Sequence, residues 1–198
     1  MLLKDLKQYN VILASNSPRR KELLSDLGIK FEVKTINGID ESYPPGLPVL
    51  EIAEYVSRKK ARLYFNEMRS GDLIITADTV VILGDEVLGK PKDTDDARRM
   101  LRELSGKTHK VVTGVTIVTI DKISSFSALT DVEFAELSDD DIDYYVDNYR
   151  PLDKAGAYGI QEWIGCMGVR HINGSFYNVM GLPLHRLYTE LEKLMNNA

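Results

Sequence analysis

The sequence holds one cysteine, Cys166, and one tryptophan among its 198 residues. A single thiol closes no internal disulfide, which fits a reducing compartment, and Cys166 reads as a small buried filler. No run of about 18 apolar residues occurs, so no membrane-spanning helix is expected. The opening stretch, Met1 to Asn10, sets Lys4, Asp5 and Lys7 among leucines and lacks the apolar core of a secretion signal. A cytoplasmic protein with no membrane partner is the expectation. Histidine is scarce: His109, His171 and His185 stand far apart and never at metal-binding spacing. There is no G-x-S-x-G elbow for a serine hydrolase and no G-x-G-x-x-G after a strand for a dinucleotide fold. Basic residues number 25 against 30 acidic ones, a net charge of −5, which argues against a nucleic-acid partner.

Two strings imitate a phosphate-binding P-loop and fail. Gly84 to Lys90 spells G-x-x-x-x-G-K, but Pro91 stands where Ser or Thr must hold magnesium. Gly106-Lys107-Thr108 has Leu101 in place of the first glycine and follows a helix instead of opening one.

The charge is unevenly spread. Arg19, Arg20 and Lys21 are consecutive, and Arg58, Lys59, Lys60 and Arg62 form a second basic cluster. Acids gather at Asp93–Asp96 and Asp139–Asp143. Local positive potential on an acidic protein suits a small polyanion better than a long one.

The pattern predicts a strand at Val11–Ala14, then a helix opened by Ser17-Pro18 and closed at Gly28. A second strand is expected over Phe31–Ile36, and a Pro/Gly-rich loop over Asn37–Pro48. From Val49 to about Arg69, Val49, Ile52, Ala53, Val56 and Leu63 recur at helical spacing, and Lys60 falls on that inward stripe. An ammonium there must reach water or meet an anion. Leu73–Ala77 and Thr79–Leu83 read as strand interrupted at Asp78. A turn at Gly84–Glu86, a return at Val87-Leu88 and a helix over Thr94–Leu104 follow. Val111–Ile120 and Ile123–Glu136 form a long hairpin, and a helix capped by Ser138 ends before Pro151. Gly156–Gly181 is expected to mix short strands with turns, and Pro183 opens a last helix. No repeat or linker divides the chain. Early strand–helix alternation followed by antiparallel strands gives a mixed α/β fold.

The chemistry then concentrates at a few positions. Ser15-Asn16-Ser17 leads into a helix N-terminus, where free N–H groups attract an anion. Arg19 and Arg20 stand in its first turn, where cations are disfavoured unless something negative is present, and guanidinium forks match phosphate. Asp78 breaks an apolar strand pattern, and a carboxylate there can bind Mg²⁺ or take a proton from water. Glu41 is a second candidate carboxylate, and Lys90, between Gly89 and Pro91, a candidate phosphate contact.

Together these strings resemble the Maf family of nucleotide pyrophosphatases. They are Leu13–Arg20 (LASNSPRR), Lys60-Ala61, Ala77–Val81 (ADTVV), Gly89-Lys90-Pro91, Leu104–His109 (LSGKTH) and Asp153–Gln161 (DKAGAYGIQ), in family order over roughly residues 10 to 187. The resemblance implies a single domain over residues 1–198, with a mixed twisted sheet flanked by helices and two lobes around a central cleft, like inosine triphosphate pyrophosphatases. It implies water attack on the α-phosphorus of a nucleoside triphosphate, a divalent metal (Mg, Mn or Co) and a homodimer. It assigns the proton-accepting carboxylate to Asp78, the metal to Glu41 and Asp78, and substrate contacts to Ser15, Arg19, Arg20, Lys60, Thr79, Lys90 and Gln161. Arg19, Thr79 and Gln161 match the group acting on dTTP and UTP, and an amide such as Gln161 can pair with a pyrimidine's carbonyl and imide edge. The sister group acting on 7-methylguanosine triphosphate lacks this glutamine. A nucleotide-binding regulator of septum formation, acting through a partner, is the alternative from another class. One departure from the family pattern is Glu162, where many relatives carry glycine.

Overall fold

The computed structural model describes residues 2–196. In chain order its first elements are α1 (Leu2–Asp5), β1 (Asn10–Leu13), α2 (Pro18–Asp26), β2 (Glu32–Val33), α3 (Ile52–Arg62), β3 (Asp72–Leu83), β4 (Glu86–Leu88) and α4 (Thr94–Leu104). There follow β5 (Thr108–Val118), β6 (Ile123–Phe134), α5 (Asp139–Tyr149), α6 (Trp163–Gly168), β7 (Val169–Asn173), α7 (Phe176–Met180) and α8 (Leu184–Asn196). Seven strands make one mixed sheet in the order β2-β1-β3-β5-β6-β7, with β4 paired to β3. Among the described residues no helix is long and apolar enough to cross a membrane. The mixed α/β expectation is borne out.

The chain divides into two compact units. One comprises the chain up to Asp78, Thr113–Ala128 and the chain from Gly181 onward; the other comprises Thr79–Val112 and Leu129–Met180.

In the first unit β1 pairs in parallel with β3, Val11 opposite Leu73 and Leu13 opposite Ile75. Strands buried on both faces read as continuous apolar runs, as these do. Ser17 caps α2 in extended conformation, its side chain accepting from the Arg20 amide, and Pro18 supplies the preset first turn. Helix α3 buries Ile52, Ala53, Val56, Ser57, Lys60 and Ala61. Its seat depends on Gly114: a Cβ there would lie 2.2 Å from the backbone nitrogen of Glu54. Buried hydroxyls fix the contact. Ser57 Oγ meets Thr116 Oγ1 at 2.8 Å, and Thr76 Oγ1 donates to the Ser57 carbonyl at 2.8 Å.

The second unit has its own apolar core. Ala97, Met100, Leu101 and Leu104 form the buried stripe of α4, and Ile142, Tyr145 and Val146 that of α5. They pack with Val81, Leu88, Val111, Phe134, Ile160 and neighbouring side chains. Arg98 ties the two helices through Asp143 and Asp147, both at 2.6 Å. Ser138 and Asp141 complete a capping box at the start of α5.

Several expectations need correction. The second strand is two residues long instead of six, and α3 ends at Arg62, well before Arg69. Strand β3 runs unbroken through Asp78, because ladder hydrogen bonds are backbone bonds and a carboxylate with a partner is tolerated within a strand. The glycine-rich stretch after Gly156 holds α6 and α7 around one strand, β7, not several strands. Cys166 is exposed, on a short helix whose inward positions are Ile164 and Gly168.

His109 is buried in the second unit, its Nε2 2.7 Å from the Tyr158 hydroxyl and its ring edge-on to Phe134. Its Nδ1 is buried with no hydrogen-bond partner among the described residues. Burial pushes its pKa down to about 4 from the ordinary 6.5 of an imidazole. Between those values the unfolded chain binds the proton that the folded chain refuses, so stability is full above pH 6.5 and falls as pH drops towards 4. The slope from this group approaches about 1.4 kcal/mol per pH unit. Urea unfolding of native protein and of His109→Gln, measured from pH 7.5 to 4.5, should show a shallower pH dependence in the variant. Equal slopes would acquit His109.

Candidate active site

Lys60 is the centre of the first unit's polar cluster. Its side chain is 10% exposed, and Nζ lies 2.7 Å from Glu41 Oε1 and 2.8 Å from Asp78 Oδ1. The inward-stripe ammonium has met its anions, as the spacing of α3 required. Asp78 presents its carboxylate from the interior of β3, 16% exposed. Glu41 arrives from the Pro/Gly-rich loop, and that loop is fastened to the same helix one residue earlier. Lys59 Nζ donates to Asp40 Oδ2 at 2.7 Å and to the Ser42 carbonyl at 3.0 Å. The Lys59 hydrogen bond, with help from the Ser42 amide and hydroxyl, holds the Asp40 carboxyl well below its usual range. Consecutive lysines of α3 therefore grip consecutive acids of the loop.

Arg20 completes this group from α2. Its Nη1 donates to the Ala77 carbonyl at 2.9 Å and to Ser15 Oγ at 3.4 Å, and its Nε donates to the Gly181 carbonyl at 2.8 Å. The residue that carries the Asp78 peptide is thus bonded to the guanidinium. Burial lowers the Arg20 pKa; Asp78 opposes that, Arg19 adds to it, and Glu41 opposes it again. These four charges share one field. Ser15 is buried at the end of the run that leads out of β1, and its Oγ accepts from the Ser17 amide at 3.2 Å.

Three expected site residues belong to the second unit. Thr79 follows Asp78 in β3 and is half-buried. Lys90 is exposed just past β4, between the exposed Gly89 and the buried Pro91. Its approach is fixed from behind, since the Gly156 amide donates to the Gly89 carbonyl at 3.1 Å. Gly156 sits at φ 66° against Val81, where a Cβ would come within 2.9 Å. Gln161 is exposed, in the turn between Gly159 and Glu162.

Glu41 and Asp78 direct two carboxylate oxygens at one point, the position of the Lys60 ammonium. That donor set fits a hard divalent ion drawing its remaining ligands from phosphate and water. Among the described residues no group of three or more His, Cys, Asp or Glu could hold a metal by itself.

Sequence reasoning missed the backbone acceptors of Arg20, for which a sequence carries no signal. It also missed the partners of Glu162. Oε1 of Glu162 lies 3.1 Å from Lys154 Nζ, and its Oε2 accepts a short hydrogen bond from the Tyr145 hydroxyl. The available signal was a lysine, Lys154, set between an acid, Asp153, and the small residues Ala155-Gly156.

The profile of a family described as Maf-like protein matches residues 10–194. A dTTP/UTP pyrophosphatase of Phocaeicola vulgatus is 62% identical over 98% of this chain and 100% of its own. One from Bacteroides thetaiotaomicron is 57% identical over the same shares. One from Porphyromonas gingivalis is 54% identical over 96% of this chain and 97% of its own. Among solved structures, a HAM1 protein from Coxiella burnetii matches 93% of this chain and 99% of its own, with TM-score 0.49 and 18% identity.

Removing the ammonium while keeping the stem, by Lys60→Met, should cost about 2 kcal/mol, because the two carboxylates are then left facing each other. In the Asp78→Asn background the same change should cost less by 1 kcal/mol or more, at the order of a close-pair coupling of about 0.5–3 kcal/mol. A double-mutant cycle in urea measures this, and strict additivity would show that the pair is not coupled.

Proposed function

The chain belongs to the Maf-like protein family, and we propose that it hydrolyses dTTP and UTP to the nucleoside monophosphate and pyrophosphate. The observation that carries the reading is the cluster of Arg20, Lys60, Glu41 and Asp78 within one unit. Near-full-length relatives that bear the name dTTP/UTP pyrophosphatase support the same reaction and the same bases.

In this reading Arg19, Arg20, Lys60 and Lys90 bind phosphate oxygens, and Ser15 offers a hydroxyl at the helix entry. Phosphoryl transfer asks little covalent chemistry of a protein; positioning and charge compensation do most of it. Water attacks the α-phosphorus, the bond to the bridging α–β oxygen breaks, and pyrophosphate departs with the bond's electron pair. Asp78 accepts the proton of the attacking water. Lys60 pairs with Asp78 and Glu41 before substrate arrives, and in its presence exchanges carboxylate for phosphate. A divalent ion, Mg²⁺, Mn²⁺ or Co²⁺, fits Glu41 and Asp78, and when bound it supplies positive charge to the phosphate oxygens. Thr79 and Gln161 read the base, Gln161 through an amide that donates and accepts at a pyrimidine's edge.

Two measurements test this. Asp78→Asn should lower kcat for UTP by 10³-fold or so, the order of a lost acid–base group and its electrostatics, while nucleotide affinity stays within about threefold. Undiminished turnover in the purified variant would remove Asp78 from the reaction. Pyrophosphate release should next be screened across canonical triphosphates and 7-methylguanosine triphosphate with each of the three metals. The pyrimidine substrates should lead, and changing Gln161 to Ala should raise their Michaelis constants selectively. A preference for 7-methylguanosine triphosphate, or base selectivity indifferent to Gln161, would overturn the substrate assignment.

A further inference from the structure

Glu162 has no part in the proposed reaction, yet its carboxylate is among the most fully engaged in the second unit. Its Oε2 accepts from the Tyr145 hydroxyl, and its Oε1 lies 3.1 Å from Lys154 Nζ. The Lys154 side chain is 9% exposed and also donates to Asp153 Oδ1 at 2.8 Å. The same Tyr145 hydroxyl accepts from the Gly159 amide at 3.0 Å. Burial, and then the Glu162 carboxylate, push the Tyr145 pKa up, so the phenol stays a donor. Gly159 leaves the room this needs: a Cβ there would lie 2.8 Å from the Glu162 carboxyl carbon.

The backbone closes the turn from Gly159 to Glu162. The Glu162 amide donates to the Gly159 carbonyl at 3.0 Å, and the Glu162 carbonyl accepts from Gly165 at 2.9 Å as α6 begins. On the inward side Ile160 is buried, 4% exposed. Every residue of this turn is anchored except Gln161, whose side chain is exposed at its crest.

We propose that Glu162 is a positioning residue for Gln161: with Tyr145 and Lys154 it clamps the Gly159–Glu162 turn so that the Gln161 amide is held ready for the base. The proposal rests on the reading of Gln161 as base-contacting, and deepens it. A glycine at 162, with no side chain, supplies neither the acceptor for Tyr145 nor the counterion for Lys154. The turn then loses both side-chain ties from position 162 and keeps only its backbone bonds, the Gly159–Tyr145 contact and the burial of Ile160. Ligand affinity falls in proportion to the fraction of molecules holding the competent conformation. The clamp therefore acts on affinity and base selectivity, not on the chemical step.

Two arms test the clamp on the full chain. In hydrogen–deuterium exchange, Glu162→Ala and Tyr145→Phe should speed exchange at the Gly159 and Glu162 amides by about tenfold, with α4 and α5 amides protected as before. Unchanged exchange at those two amides overturns the clamp whatever the enzyme acts on. In kinetics, Glu162→Ala should raise KM for dTTP and UTP by about tenfold and leave kcat within about threefold, while Glu162→Gln, which keeps the acceptor for Tyr145, recovers most of the loss. In the Gln161→Ala background the Glu162→Ala change should add nothing to KM. A full further loss there means that Glu162 acts independently of Gln161, and the proposal falls. If Glu162→Ala does not fold, Tyr145→Phe and Glu162→Gln carry both arms. A native protein inert towards pyrimidine triphosphates defeats the reading of function and leaves the exchange arm to decide the clamp.

Discussion

One ammonium among three charges sets the character of the candidate site. Lys60 is nearly buried, and a cation withdrawn from water is costly unless anions replace the hydration shell. Glu41 and Asp78 do so, each within hydrogen-bonding distance. At an effective dielectric of 20, a unit pair about 4 Å apart is worth about 4 kcal/mol before desolvation is subtracted. Two acids around one base leave a local excess of negative charge, and Arg20 and Arg19 lie in the same field. Three cations against two carboxylates leave the whole cluster with a formal charge of only +1. Such a balance is well suited to admit a polyanion: phosphate oxygens can take over the cations, and the carboxylates they release become available to a metal ion or a proton.

The balance depends on how firmly α3 is seated, because Lys60 reaches its partners from the third turn of that helix. Two features give the seat, and neither is charged. Gly114 removes the side chain that would collide with the Ala53–Glu54 backbone, and the hydroxyls of Ser57, Thr76 and Thr116 bond to one another and to carbonyls in the dry contact. Buried hydroxyls that satisfy each other specify one register where apolar surfaces alone would allow sliding. The loop with Glu41 is then drawn in by Lys59 and Lys60 together. A Pro/Gly-rich segment without regular structure is in this way given a defined place by two side chains of a helix.

Much of this is legible in the sequence alone. The helical spacing of Ile52, Ala53 and Val56 put Lys60 on the inward face, and inward lysines need anions; that inference required only periodicity and solvation. The Ser17-Pro18 helix start followed from capping chemistry in the same way. Asp78 was found for a reason that turned out to be incorrect. It was expected to break its strand, yet β3 passes straight through it, because the charge is matched by an element 18 residues away in sequence. Local propensity cannot see a partner on another element. The same blindness misplaced Cys166, whose short helix is held by Ile164 and Gly168 and has little inward face to offer. It also hid the partners of Glu162, Tyr145 and Lys154, which stand on other stretches of the chain. Whatever depended on one element alone could be read; whatever depended on contacts between elements could not.

If Gln161 reads the base as proposed, the second unit poses the complementary problem of how an exposed glutamine can discriminate. An amide on a mobile loop offers donor and acceptor in every orientation, and a hydrogen bond formed from such an ensemble loses in ordering entropy much of what it gains. The stretch from Lys154 to Glu162 avoids that loss by being ordered in advance. Gly156 and Ala157 are held at φ 66° and 58°, a left-handed backbone that costs an alanine about 1–2 kcal/mol. The surrounding bonds sustain it: Gly156 to the Gly89 carbonyl, and Ala157 to the Lys154 carbonyl. One segment thus pins the approach to Lys90 at its start and the turn with Gln161 at its end. Strain accepted within a rigid frame is what would let a solvent-facing side chain in the proposed role be selective. A carboxylate facing inward at position 162 belongs to that frame, not to the surface it adjoins.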